Sequence, residues 1–227
     1  MKSPNSVVSF FVIFNEKWNE MINTLRSSIF AGIFIGTAGF GFLAASSQNQ
    51  YGALIGALLF TLGLLSIVGY KLKLFTGTAG FIRKKEITTL LLILLGNIFG
   101  CFLLGILTRC SPMSNNLQTF ALNIMNTRIQ TGAVGCGLLA VGCGLLMTTA
   151  VTFARQNNYL PLIFGVPLFI VCGFPHCVAD AFYYLTVPFE KWTVELIGIY
   201  SSTVLGNAIG CNLYRIVLDK KQYEMKS

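Results

Sequence analysis

Charge is what this sequence has least of. Asp, Glu, Lys and Arg make up 11% of the 227 residues, acidic residues number only eight, and histidine occurs once, as His176. A soluble domain of this length keeps many polar side chains at its surface. A composition that is 54% hydrophobic, with mean hydropathy +0.70, excludes one. The seven cysteines show no paired metal spacing. All but Cys110 fall within or beside apolar stretches, where they read as small packing side chains. No metal and no cofactor is expected.

What is present is long apolar runs. Six stretches match the ~20 residues that a helix needs to cross a bilayer. They are 25–47, 51–70, 87–108, 131–154, 159–171 with a continuation to 187, and 192–216. The chain therefore reads as an all-α polytopic membrane protein. The first run is not a cleavable signal, because its apolar core is too long and five more runs follow. Thirteen of the 16 Lys and Arg fall on one side of the alternating loops and three on the other. The richer side should be cytoplasmic, with both termini there and the protein in the cell membrane. The net charge of +8 is this collar facing anionic lipid, and it calls for no nucleic acid. Residues 1–24 mix aromatics with Glu16, Lys17 and Glu20 and read as an amphipathic interfacial helix. Residues 25–216 hold the six spans, and 217–227 form a basic tail.

Two lines repeat. "GNIFGCFLL" at 96–104 and "GNAIGCNLY" at 206–214 share Gly-Asn-x-x-Gly-Cys in register. Two copies of three spans each place the second copy upside down, an inverted repeat of the kind found in channels and transporters. Span five is broken around His176, where Gly173 and Pro175 oppose helix. The repeat then predicts a matching break in span two, at "KLKLFTGTAG" (71–80). There Gly77 and Gly80 lower helix stability and Thr76 and Thr78 offer hydroxyls. Unwound backbone at membrane depth is tolerated only inside protein or against a water-filled cavity. The two breaks should face each other across a pathway, with Thr76 on one and His176 on the other. The pairs Gly32/Gly36, Gly52/Gly56, Gly96/Gly100 and Gly206/Gly210 predict close helix contacts.

With "LFTG" (74–77), "GF-x-H-x-x-A" (Gly173, Phe174, His176, Ala179) and the paired Gly-Asn lines, nearly the whole chain resembles the formate/nitrite transporter family. The resemblance implies a homopentamer of aquaporin-like protomers, each with its own pore and broken second and fifth helices. It implies a central histidine, His176, and a loop threonine, Thr76. Between them and either mouth it implies apolar narrowings at Phe60, Leu64, Leu74, Phe75 and Phe169. The sequence also departs from the family. Lys73 and Pro175 stand where glutamates are usual. Met125 and Val141 stand where anion-conducting members carry a lysine and an asparagine. Asp180 replaces an asparagine.

In an ordinary member, the lysine would attract a small anion and the imidazole would hand it a proton, so that a neutral acid crosses the dry narrowings. Here the lysine is gone and Asp180 lies one helical turn from His176. That exchange of charge favours ammonium, with the imidazole accepting its proton so that ammonia crosses. The alternative is a pH-dependent channel or proton-linked transporter for formate, nitrite or hydrosulfide, with Lys73 or Arg128 supplying the missing positive charge. Asp180 is also open to pairing with Lys73 or capping a helix, and Thr76 to serving only as a cap. A membrane enzyme using Cys177 and His176 is disfavoured. Adjacent helical residues point ~100 degrees apart and no third orienting group is evident. A mere scaffold would leave an imidazole and a carboxylate at membrane depth without use.

Overall fold

The computed structural model describes residues 4–81 and 86–217, and every regular element among them is helical. In chain order these are α1 (Pro4–Ser46), α2 (Gly52–Gly69), α3 (Phe75–Thr78), α4 (Ile87–Arg109), α5 (Ser114–Ala154), α6 (Leu160–Val171), α7 (Cys177–Thr186) and α8 (Glu195–Val217). A short 3-10 turn, Phe189–Lys191, precedes α8. Among the described residues, five helices are long and apolar enough to cross a membrane, and α6 is a shorter apolar one. The α6–α7 pair fills the place of the broken span expected over 159–187. Of the basic tail expected at 217–227, all but Val217 lies outside the described residues.

Two element boundaries differ from expectation. α1 runs without interruption from Pro4, so the described part of the amphipathic segment and the first span are one helix. α5 begins at Ser114, not at residue 131, and bends at Gly132, whose φ of 73° and ψ of 168° are non-helical. The segment from Ser114 to Thr131 alternates Asn, Gln and Thr with apolar residues, so it forms helix without reaching the hydropathy of a span.

The helices pack in two matched pairs, α1 on α4 and α5 on α8. Both contacts depend on glycine. A Cβ at Gly32 would collide with the Asn97 carbonyl, and one at Gly100 with that of Ile29. Across the second pair, a Cβ at Gly206 would collide with the Gly137 carbonyl and one at Gly210 with that of Val141. Small residues let backbones approach this closely where lipid gives no hydrophobic drive between helices.

The duplicated Gly-Asn lines reappear as duplicated hydrogen bonding. Asn97 is fully buried. Its amide donates to the Ser28 carbonyl on α1 (2.8 Å) and to the Lys73 carbonyl (3.0 Å), while its oxygen accepts from the Phe75 N–H (2.9 Å). Asn207, also fully buried, donates to the Ala140 carbonyl on α5 (2.9 Å) and to the Pro175 carbonyl (3.0 Å), and accepts from the Cys177 N–H (2.8 Å). Each asparagine thus holds one helix contact and the first N–H of one restarted helix.

Asn97→Ala and Asn207→Ala should therefore each strand one N–H and two carbonyls, at a cost of about 1–3 kcal/mol per unsatisfied group. Thermal unfolding in detergent should show both midpoints falling by similar amounts, while the exposed Asn116→Ala leaves the midpoint in place.

Candidate functional site

The site grows out of the two breaks. After α2, Lys71 adopts a positive φ of 54° and the chain is extended at Leu74 before α3 starts. After α6, Gly173 adopts φ 67° and the chain is extended at His176 before α7 starts. Only Gly173 among the glycines expected to break these spans has a positive φ; Gly77 lies within α3. In the first break the reversal falls on Lys71 instead, a left-handed position that costs a non-glycine residue energy.

Leu74 and His176 occupy the same place, the residue before a restarted helix. His176 is buried, and its Nδ1 accepts the Ala179 N–H at 3.1 Å. A neutral ring accepting at Nδ1 carries its proton on Nε2. That nitrogen lies 2.9 Å from the Thr76 Oγ1, so the two breaks do meet, at these two side chains. Thr76 sits inside α3 with its hydroxyl on the imidazole, not as the residue capping that helix. The His176 ring stacks on Phe169 (centroids 5.6 Å apart, planes at 25°), and Phe169 meets Phe60 edge-on at 6.2 Å.

Two cavities approach this cluster. One, of about 170 Å³, is lined by Arg128, Asp180, His176, Phe169, Phe42 and Tyr183 among others. The other, of about 590 Å³, reaches Leu64 and Leu74 and is lined by Lys71, Lys73 and Arg155, with no Asp or Glu among its lining residues. Phe60 and Phe75 line neither cavity, and all five expected narrowing residues, Phe60, Leu64, Leu74, Phe75 and Phe169, are buried. Phe169 is part of the apolar wall of the first cavity and Leu64 and Leu74 of the second, and each cavity is large enough for several waters.

The charges are arranged otherwise than the sequence suggested. Asp180 does not pair with Lys73. The Arg128 guanidinium takes it, with Nε 3.2 Å from Oδ2 and Nη2 3.4 Å from Oδ1, while Nη1 donates to the Gly173 carbonyl at 2.7 Å. Lys73 points away, its Nζ donating to the Thr24 hydroxyl at 2.7 Å. The physical reason is reach. The helical segment before Gly132 brings Arg128 across α7, whereas Lys73 belongs to the opposite chamber. Both partners line the smaller cavity, Asp180 at 1% exposure and Arg128 at 11%, so the cation is the more exposed of the two. Met125, at the family's usual lysine position, is fully buried. Cys177 is buried too, its N–H tied to Asn207, and both ring nitrogens of His176 are engaged elsewhere, so no thiol–imidazole pair forms.

A profile described as formate/nitrite transporter matches residues 14–218. The chain belongs to the formate/nitrite transporter family. Among solved structures, one described as "Pentameric formate channel with formate bound" is similar at 21% identity and a TM-score of 0.73, over 91% of this chain and 97% of its own. Another, "FNT family ion channel", is similar at 18% identity and a TM-score of 0.75, over 93% of this chain and 92% of its own. A comparison with curated proteins finds no match.

Within this formate/nitrite transporter fold, the tying role of Asn97 and Asn207 was hidden in the sequence behind their use as repeat markers. The aromatic wall residues Phe42 and Tyr183 carried no signal beyond hydrophobicity. Breaking the Arg128–Asp180 pair from one side should be costly. Arg128→Gln leaves a buried carboxylate unpaired, a loss of about 3–5 kcal/mol. Adding Asp180→Asn should recover most of that, and a double-mutant cycle on thermal midpoints measures the coupling.

Proposed function

We propose that this chain is a membrane channel for a small monobasic anion, of the formate, nitrite or hydrosulfide kind, that crosses the apolar wall as the neutral acid. The observation that carries this reading is the pairing of Asp180 with Arg128, which removes the premise of the ammonium reading. A free carboxylate would draw cations into the smaller cavity. A carboxylate spanned by a guanidinium, and less exposed than it, does not. The opposite cavity points the same way, with Lys71, Lys73 and Arg155 on its walls and no carboxylate among the described residues that line it. Cationic walls at one mouth and a neutralised pair at the other favour an anion over ammonium.

A bare anion would lose several kcal/mol or more on entering the wall between Phe169 and Leu74. Proton transfer removes that cost. His176 lines the smaller cavity with its ring stacked on Phe169, which supports it as the proton donor in this reading. Its imidazolium form has to protonate Nδ1 and so give up the Ala179 N–H. That makes the cation short-lived and a ready donor. In the proposed step the imidazolium gives its proton to the anion, leaving a neutral ring and a neutral acid. The proton given up is the one on Nδ1, which then accepts the Ala179 N–H again and is reprotonated from the cavity, while Thr76, accepting from Nε2–H across the two repeats, orients the ring. A homopentamer with both termini cytoplasmic in the cell membrane belongs to the same reading. The pentamer is supported by the description of one structural relative, and the orientation by the excess of Lys and Arg on one side of the spans.

Proteoliposomes made with the full chain should take up labelled formate, faster as the external pH falls from about 8 to about 5, because each anion crosses with one proton. Ammonium chloride should produce no comparable swelling. His176→Ala should lose most of the acid stimulation. Ammonium flux without formate flux would overturn the proposal.

A further inference from the structure

We propose that Asp180 is a built-in competitor for the substrate anion at Arg128, and so the residue that sets how loosely the smaller cavity holds it. This rests on the anion reading above. A guanidinium has five N–H groups, and a carboxylate binds it best through two parallel bonds. In this protein the Nε/Nη2 edge already carries such a pair of bonds, to the two oxygens of Asp180 at 3.2 and 3.4 Å. A third N–H, on Nη1, is held by the Gly173 carbonyl. One N–H on each of Nη1 and Nη2 is left, and while both partners line the cavity, Arg128 is the more exposed of the two.

An anion entering the cavity therefore meets a cation whose preferred edge is occupied and whose charge is compensated. It binds the remaining end of the guanidinium beside a fixed carboxylate that repels it. Asp180 cannot swing away to make room: it is buried in the first turn of α7, and its partner is tethered to the Gly173 carbonyl at the break. The result is a site that collects a small anion next to His176 yet releases it readily. A planar ion with two oxygens spaced like those of Asp180, such as formate or nitrite, is the class that gains most if the edge is freed. Phe42, Phe169 and Tyr183 bound the room available to anything larger.

The test uses the purified full chain in detergent, with thermal stabilisation titrated by sodium formate and, at equal ionic strength, by sodium chloride. Asp180→Asn keeps the side chain's shape, frees N–H capacity on Arg128 and leaves its charge uncompensated. It should lower the half-saturating formate concentration by about tenfold or more, as a charge-assisted paired contact would, and by less for chloride. In proteoliposomes the same variant should show a lower KM for formate and a lower maximal rate. The Arg128→Gln/Asp180→Asn double variant should lose the formate-dependent stabilisation. Asp180→Ser repeats the test should the amide not be accommodated. Unchanged or weaker formate binding in Asp180→Asn or Asp180→Ser, or equal tightening toward chloride, would overturn the competitor role. Wild-type protein that takes up no formate would instead refute the anion reading on which it rests.

Discussion

Backbone that leaves the helix at membrane depth has no water to satisfy it, and the rest of this structure follows from how that debt is met. Asn97 and Asn207 each supply one acceptor and two donors to a broken span and to the helix across from it. The cysteines beside them finish the work crosswise. The Cys101 thiol donates to the Val178 carbonyl at 3.4 Å and the Cys211 thiol to the Thr76 carbonyl at 3.3 Å, so each half steadies the restarted helix of the other. With both breaks pinned, a hydroxyl and an imidazole 2.9 Å apart become a fixed feature of the fold and not a chance encounter of two loops.

The buried ion pair follows a different logic. Desolvating a guanidinium and a carboxylate costs several kcal/mol for each ion, and their attraction returns that only with good geometry. Stability is therefore a weak reason to keep Arg128 and Asp180. What the pair does achieve is position. It fastens α5, just before its bend at Gly132, to α7 and to the Gly173 carbonyl at the break in span five. It also brings charge to within one helical turn of His176 while leaving that neighbourhood nearly neutral.

The sequence carried the architecture well because architecture here is a matter of hydrophobic length and repeated small residues. The six apolar runs, the broken fifth span around Gly173 and Pro175, and the Gly-Asn lines all have local signatures. That two breaks face each other was readable as well, since the repeat demanded both and membrane depth demanded that they turn inward; the sequence put a pathway between Thr76 and His176, whereas the two side chains are in direct contact. The partner of Asp180 was not readable. Lys73 and Arg128 are both cations near a span end, and only the helical course of residues 114–131, too polar to register as a span, decides which one reaches α7. For the same reason the sign of the cavity's charge could not be taken from a lone Asp in a sequence: a carboxylate's field depends on its neighbour. Nor could Lys71 be foreseen as the reversal point, because its positive φ follows from where Asn97 holds the chain two residues later.

The two breaks are alike in bonding and unlike in chemistry. Matching them through the N–H that each asparagine accepts pairs Phe75 with Cys177, and therefore Leu74 with His176, Thr76 with Val178 and Thr78 with Asp180. Leu74 and His176 thus hold one structural position, the extended residue before a restarted helix, each lining its own cavity. At the first stands an apolar leucine. At the second stands an imidazole, and the hydroxyl it is bonded to comes from the first break, where Val178's counterpart is Thr76. Neither half contains the whole site. The duplication supplies two equivalent scaffolds, and divergence at two matched positions turns one into a barrier and the other, on the reading proposed above, into the point where charge is removed before the barrier is met.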